Sequence, residues 1–284
     1  MVGYSVTSSY RHAFITGPNG IGMTDLGTLS GKSSVALGIN NSGQVVGEFS
    51  NGYFGYGNIF FTGPNGIGMT DLGIYSDALF AGINDSGQIA GTSYPRTGFI
   101  TGPNGIGRTD LEASRPNGIN DDGQVVGIGI GRNERAFITG PDGIGMTDLG
   151  TFGGLVSSAN GINNSGEVVG WAATASGEGH PFGEAHPFIF SHGGITDLLL
   201  LAPVIAAGWT YLIPTDINNN GQIVGYGSHN GNYEAFLLSY TSDTVFDPKP
   251  IYIPLVPEPE TYLMLLAGLG LLGFMARRRK VSAV

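Results

Sequence analysis

The chain has 284 residues, 50 of them glycine, no cysteine and only 12% charged side chains. A chain of that length buries a core of one or two domains, its glycine content disfavours long helices, and the missing cysteine removes disulfides, thiol catalysis and cysteine metal sites. Arg277, Arg278, Arg279 and Lys280 supply four of the 12 Lys and Arg, and outside the tail acids exceed bases by about twelve. This excess argues against a nucleic-acid binder, which needs clustered Lys and Arg.

In chain order, residues Met1 to Arg11 contain no apolar run, so no secretory signal peptide is recognisable there. Val2-Gly3-Tyr4-Ser5 resembles Val224-Gly225-Tyr226-Gly227-Ser228, which places the first residues inside a repeated unit. The expectation is an N-terminus that has been truncated or assigned too late.

Ala13 to Gly27 (AFITGPNGIGMTDLG) reads as two short antiparallel strands joined at Pro18-Asn19-Gly20, predicted as a type I turn with a bulge. The block recurs from Phe60 to Gly73, Phe99 to Leu111 and Phe137 to Gly150, with degenerate copies at Phe188 to Leu198 and Phe236 to Tyr240.

Gly38 to Gly47 (GINNSGQVVG) is a second hairpin, in which Asn41-Ser42-Gly43 turns the chain and Gly43 holds the left-handed position. It returns at Gly82, Gly118, Gly161 and Asp216, at separations of 44, 36, 43 and 55 residues. One unit therefore reads as four strands: Ala36 to Ile39, Gln44 to Phe49, Phe60 to Thr62 and Met69 to Leu72.

Such a sheet cannot bury both faces alone, and its length suits a β-propeller blade, with a β-solenoid ranked second. The fold class is all-β: a repeat β-propeller of five or six four-stranded blades, followed by a single C-terminal transmembrane helix. Two stretches break the pattern, Trp171 to Ala185 and Leu199 to Pro214, and in repeat arrays such departures form loops on one face, often the binding face.

After Tyr240 the repeat stops. Residues 241–259 form a proline-rich linker ending in Pro257-Glu258-Pro259, and 260–284 hold a sixteen-residue uncharged run, Thr261 to Ala276, followed by Arg277, Arg278, Arg279 and Lys280. As a helix that run spans about 24 Å, short of a bilayer core of about 30 Å but sufficient with its flanking residues. The basic stop then stays cytoplasmic and the body lies outside.

The candidate chemistry of the body reduces to repeat positions. Asp25, Asp71, Asp110, Asp148 and Asp197 in the Thr-Asp-Leu segments could ring a cation, but occurring once per unit they read as turn acceptors. Asp216 to Gly221 matches half a calcium loop, yet Gly227 stands where the bidentate Glu belongs. Gly27 to Ser33 falls one residue short of a phosphate loop. His180, His186 and His192, with Glu178 and Glu184, form the one metal-like density, although His186 aligns with His12 of the repeat. No catalytic residue, cofactor or resident metal is expected.

Pro257-Glu258-Pro259, the apolar run and the basic end resemble a PEP-CTERM sorting signal of exported proteins in Gram-negative bacteria that make extracellular polysaccharide. The resemblance implies a membrane helix at about Tyr262 to Ala276 and processing by an exosortase, a membrane sorting protease. Residues 1–240 resemble the HAF-repeat family of extracellular proteins: His12-Ala13-Phe14 is intact, Ala136-Phe137 and Ala235-Phe236 keep two of the three residues, and the Thr-Asp-Leu-Gly and Gly-Ile-Asn segments recur.

The expected function is that of a non-enzymatic, surface- or matrix-associated protein with a structural or polysaccharide-binding role. Its expected location is the inner membrane during sorting, then the envelope or matrix. Partners are the exosortase, the inner membrane and, as a candidate, exopolysaccharide. The alternative is a polysaccharide-active propeller enzyme.

Overall fold

In the computed structural model the chain divides into two units, Met1–Pro250 and Ile251–Val284. The structure describes residues 1–7, 9–51, 57–111, 114–129, 134–176 and 183–239, all within the first unit. The linker, the Pro-Glu-Pro motif, the apolar run and the basic stop lie outside the described residues. Among the described residues no helix is long and apolar enough to cross a membrane.

Among the described residues, twenty-one antiparallel strands follow one another as meanders. β1 (Val2–Thr7), β2 (Tyr10–Thr16) and β3 (Met23–Gly27) form the first sheet. The next has seven strands: β4 (Ser33–Ile39), β5 (Val45–Ser50), β6 (Gly57–Thr62), β7 (Met69–Ile83), β8 (Ile89–Ser93), β9 (Thr97–Ile100) and β10 (Thr109–Leu111). It contains two repeats fused through β7, whose Ser76 pairs with both Gly57 and Ser93. The separate strand expected at Met69 to Leu72 thus runs on into the next unit, because no turn sequence follows Gly73.

Two four-stranded sheets come next: β11 (Ser114–Ile119), β12 (Val125–Gly129), β13 (Ala136–Thr139) and β14 (Met146–Asp148), then β15 (Gly153–Ile162), β16 (Val168–Thr174), β17 (Ala185–Ser191) and β18 (Gly194–Asp197). A short helix, α1 (Ala202–Ala206), leads into the last sheet of β19 (Trp209–Ile217), β20 (Gln222–His229) and β21 (Asn232–Ser239). Among the described residues the first and last sheets hold three strands each, and two repeats are fused into one sheet of seven.

The core lies between successive repeats. Adjacent residues of a strand point to opposite faces, so Val45 packs back against Ala13 and Ile15 while Val46 packs forward with Ile89 and Phe99. Val125 and Val126, and Val168 and Val169, divide in the same way between the layers behind and ahead. A repeat is therefore apolar on both faces, and each face needs a neighbour.

The hairpin prediction needs one correction. Asn19, Asn65, Asn104 and Asp142 have φ between 55° and 58°, in the left-handed region, where a type I turn requires a negative φ. Asn and Asp tolerate that region because their short side chains bond locally. Ile21 N–H donates to the Pro18 carbonyl at 3.2 Å and Gly17 N–H to the Ile21 carbonyl at 3.1 Å, closing the tip. In the second hairpin Gly43 has φ 73°, as expected.

Candidate functional site

Most of the residues that recur are engaged by the fold itself. Each repeat carries a phenylalanine opposite a glycine: Gly3 and Phe14, Gly47 and Phe60, Gly91 and Phe99, Gly127 and Phe137, Gly170 and Phe188, Gly225 and Phe236. The next strand adds an aspartate to that row, as in Phe60 to Asp71 and Phe188 to Asp197.

Those aspartates close turns. Oδ1 of Asp25, Asp71 and Asp148 accepts the N–H of Gly27, Gly73 and Gly150 at 2.7–2.8 Å. The other oxygen takes the side chain two residues before the phenylalanine: His12 at 2.8 Å, Asn58 at 3.0 Å, Arg135 at 3.1 Å and His186 at 2.6 Å. In the third repeat Arg108 bonds Asp110 at 2.6 Å instead. Slight burial works to raise the Asp25 carboxyl, but the Gly27 N–H and then His12 outweigh it and hold it below the ordinary aspartate range.

A second network runs between repeats. Asn40 Nδ2 donates to the Asn84 carbonyl at 3.0 Å, Asn84 to Asn120 at 2.9 Å, Asn120 to Asn163 at 3.1 Å and Asn163 to Asn218 at 3.2 Å. One residue on, N–H of Asn41 donates to Asp85 Oδ1, Asp85 to Asp121, Asp121 to Asn164 and Asn164 to Asn219, at 2.9–3.1 Å. Reading each hairpin alone assigns its first Asn to the local turn and misses this ladder. The available signal is that this Asn is kept in all five copies while the next residue varies between Asn and Asp.

His186 is placed on β17, with Nδ1 on Asp197 and Nε2 3.6 Å from Glu184. His192 occupies an exposed turn at φ 52°. His180 and Glu178 lie outside the described residues, and among the described ones no group of three or more His, Asp or Glu is arranged to hold a metal ion. Asp216 bonds its neighbour Ile217 N–H at 2.9 Å, and burial pushes its carboxyl up from the ordinary range.

Among the described residues the two irregular stretches are less loop-like than the sequence implies, and 177–182 of the first lie outside them. Trp171 continues β16 and Ala185 begins β17, while Trp209 to Pro214 lies in β19. Trp209 stacks on His229 with ring centroids 4.8 Å apart. His229 is 7% exposed, with Nδ1 2.9 Å from Glu234 and Nε2 2.8 Å from the Ala207 carbonyl. Both ring nitrogens are thereby engaged, and the arrangement fastens the α1 loop to β20.

Several tyrosines are exposed, among them Tyr4, Tyr10, Tyr226 and Tyr233, and one pair, Tyr75 and Tyr94, meets ring to ring among the described residues. Tyr75 and Tyr94 are 48% and 62% exposed and meet edge to face at 6.2 Å. Tyr94 N–H donates to the Tyr75 carbonyl at 2.9 Å, which fixes the pair at the junction of β7 and the turn after β8. Arg108 Nη2 bonds Ser93 beside them at 2.7 Å. This gives a tyrosine wall with a cation nearby, an arrangement able to stack on a ring with one apolar face and polar edges.

Residues 255–280 match the family model described as PEP-CTERM protein-sorting motif, which marks an exported, membrane-transiting protein sorted by an exosortase. No curated protein sequence matches the chain. Among solved structures, the β-propeller domain of the Trilobed protease from Pyrococcus furiosus, described as having an open velcro topology, is similar over 88% of this chain and 80% of that one, at 10% identity and a TM-score of 0.56. TolB from Acinetobacter baumannii is similar over 84% and 60%, at 10% identity and 0.49, and a nidogen/laminin complex chain over 84% and 88%, at 12% and 0.44. The first of these likenesses, with the meander topology, establishes a β-propeller fold for the repeat body.

Proposed function

We propose that the chain is a non-enzymatic protein of a Gram-negative cell envelope or extracellular matrix, whose propeller body of six repeat units binds polysaccharide. Six glycine-phenylalanine pairs support the unit count. The binding role rests on Tyr75 and Tyr94, exposed and paired at positions the repeat does not require. Tyrosine offers a flat apolar face and a hydroxyl at small entropic cost, which suits a sugar ring.

The tail supplies delivery. In this reading Pro257-Glu258-Pro259 is the recognition motif, about Tyr262 to Ala276 crosses the inner membrane, and Arg277, Arg278, Arg279 and Lys280 remain on the cytoplasmic side until an exosortase removes the end.

Retention of the purified chain on immobilised host exopolysaccharide tests the binding role. Tyr75→Ala with Tyr94→Ala lowers retention about tenfold without changing the melting temperature. Equal retention of the double variant removes the tyrosine site, and release of new reducing ends replaces a binding protein with an enzyme. Mass spectrometry of surface-located protein tests sorting, since mature protein still carrying residues 277–280 contradicts it.

A further inference from the structure

The two ends of the strands differ in charge. The Gly-Ile-Asn turn of a unit and its Pro-x-Gly tip share one end, where Asn65 N–H donates to the Ser42 carbonyl at 3.2 Å, Asn104 to Ser86 at 3.1 Å and Asp142 to Asp122 at 3.3 Å. That end carries Asp85, Asp121, Asp122, Asp142 and Glu167. Among the described residues its one cation is Arg108, and the side chain of Arg108 runs away from it along β10, to Asp110 at 2.6 Å and Ser93 at 2.7 Å.

The opposite end holds Arg11, Lys32, Arg96, Arg115 and Arg135, at or beside the connections that follow β1, β3, β8, β10 and β12. Tyr75 and Tyr94 lie at this end too, as do the connections from β16 to β17 and from β18 to β19 that break the repeat. Asp110, Glu134 and Asp148 are paired there with Arg108, Arg115 and Arg135. An anionic ligand is therefore repelled at one end and meets cations at the other.

Arg96 stands beside the tyrosine pair. Its N–H donates to the Ser93 carbonyl at 2.7 Å, closing a four-residue turn that contains Tyr94. The residue is exposed, and its guanidinium has no partner among the described residues. Its φ is 80°, in the left-handed region that glycine or asparagine occupies at lower cost, so the turn by itself does not call for an arginine. Arg108 is the second cation, bonded to Ser93 next to Tyr94. Asp110, Ser93 and the Phe99 ring, 5.2 Å away, hold its guanidinium in place, while Nη1 has no partner among the described residues.

We propose that Tyr75, Tyr94, Arg96 and Arg108 form a binding site for an acidic polysaccharide, one whose sugar units carry carboxylates. This rests on the polysaccharide-binding role proposed above and names the class of sugar. The apolar face of a ring lies on the tyrosines, and a carboxylate takes paired N–H bonds from the Arg96 guanidinium, with Nη1 of Arg108 as a further donor. Arginine suits this task because its planar fork matches the two oxygens of a carboxylate, for which a neutral polymer has no equivalent.

Retention of the full chain in detergent on immobilised polygalacturonate, on its methyl ester and on dextran sulfate tests the site. Polygalacturonate is expected to hold the chain about tenfold more strongly than the ester, in which the same rings carry no charge. Arg96→Asn keeps a residue able to hold the left-handed φ. It should erase most of that difference, with retention on the ester and the circular dichroism spectrum unchanged. Tyr75→Ala with Tyr94→Ala should weaken retention on both polymers. If acid and ester bind alike, or Arg96→Asn leaves their difference intact, while the tyrosines matter to both, the site takes sugar without selecting an acidic one and this proposal falls alone. If neither polymer is retained, or the tyrosine double variant is retained as well as wild type, the polysaccharide reading falls with it. Dextran sulfate held as tightly as polygalacturonate, with no dependence on the tyrosines, marks a general polyanion surface and also overturns the proposal.

Discussion

Gly47 lies directly opposite Phe60 across β5 and β6, and a Cβ on Gly47 would stand 2.7 Å from the Phe60 ring and 2.1 Å from the Val35 carbonyl. The glycine is required by this close approach on both sides, beside a bulge in β4 between Ala36 and Gly38. Gly47→Ala is expected to destabilise the protein by about 2–4 kcal/mol, as overpacking against backbone cannot be relieved by rotamers. Gly3→Ala, with only the Phe14 ring at 3.2 Å, should cost well under half of that. Denaturant unfolding of the two variants checks the difference.

Asn84 is 3% exposed and bonds Gln88, Ser86 and the Asn120 carbonyl. Asn84→Ala strands several buried partners at once and is expected to cost about 2–3 kcal/mol. Asn218 has the same local turn bonds but is exposed and donates to no further repeat among the described residues. Asn218→Ala should therefore cost about 1 kcal/mol or less. Equal midpoint shifts for the two in urea would contradict a ladder that gains strength from its interior.

The fold shifts the Asp216 and Asp25 carboxyls in opposite directions. Burial raises the Asp216 carboxyl, so the folded state holds its proton more tightly than the unfolded chain. Its stabilisation is present below the ordinary aspartate value and is lost as pH rises through the raised folded value. The side chain retains an exposed side, which limits the effect. Asp216→Asn is expected to melt slightly above wild type at neutral pH, with the gap closing in acid.

For Asp25, lowered despite slight burial by Gly27 N–H and His12, stabilisation is present above the ordinary value and is lost as pH falls through the depressed one. Asp25→Asn should narrow its deficit against wild type in acid. Thermal melts of the three proteins across acidic to neutral pH give both signs.

Arg135 and Asp148 form an exposed pair at 3.1 Å in the place taken by His12 and Asp25 in the first repeat. Arg135→Ala is expected to cost less than about 1 kcal/mol, and salt should shrink that further. A larger loss in urea titrations would show that the aliphatic stem of Arg135, rather than its charge, is what the sheet uses.

The sequence by itself determined the unit and its turns. Phe14 and its five counterparts, the left-handed glycines such as Gly43, and Asp25 as a turn acceptor all follow from local rules, because a hairpin is specified by residues near one another in the chain. Only the tertiary structure decided what joins one unit to the next: β7 running through two repeats, Asn40 reaching Asn84, Asp216 packed against Gly161, and Val45 and Val46 facing different layers. Those relationships span 36 to 55 residues between ladder partners, and a carbonyl has no side chain to announce that it accepts a bond. The same asparagine closes its own turn and bridges to the next repeat, and its letter announces only the first of these roles.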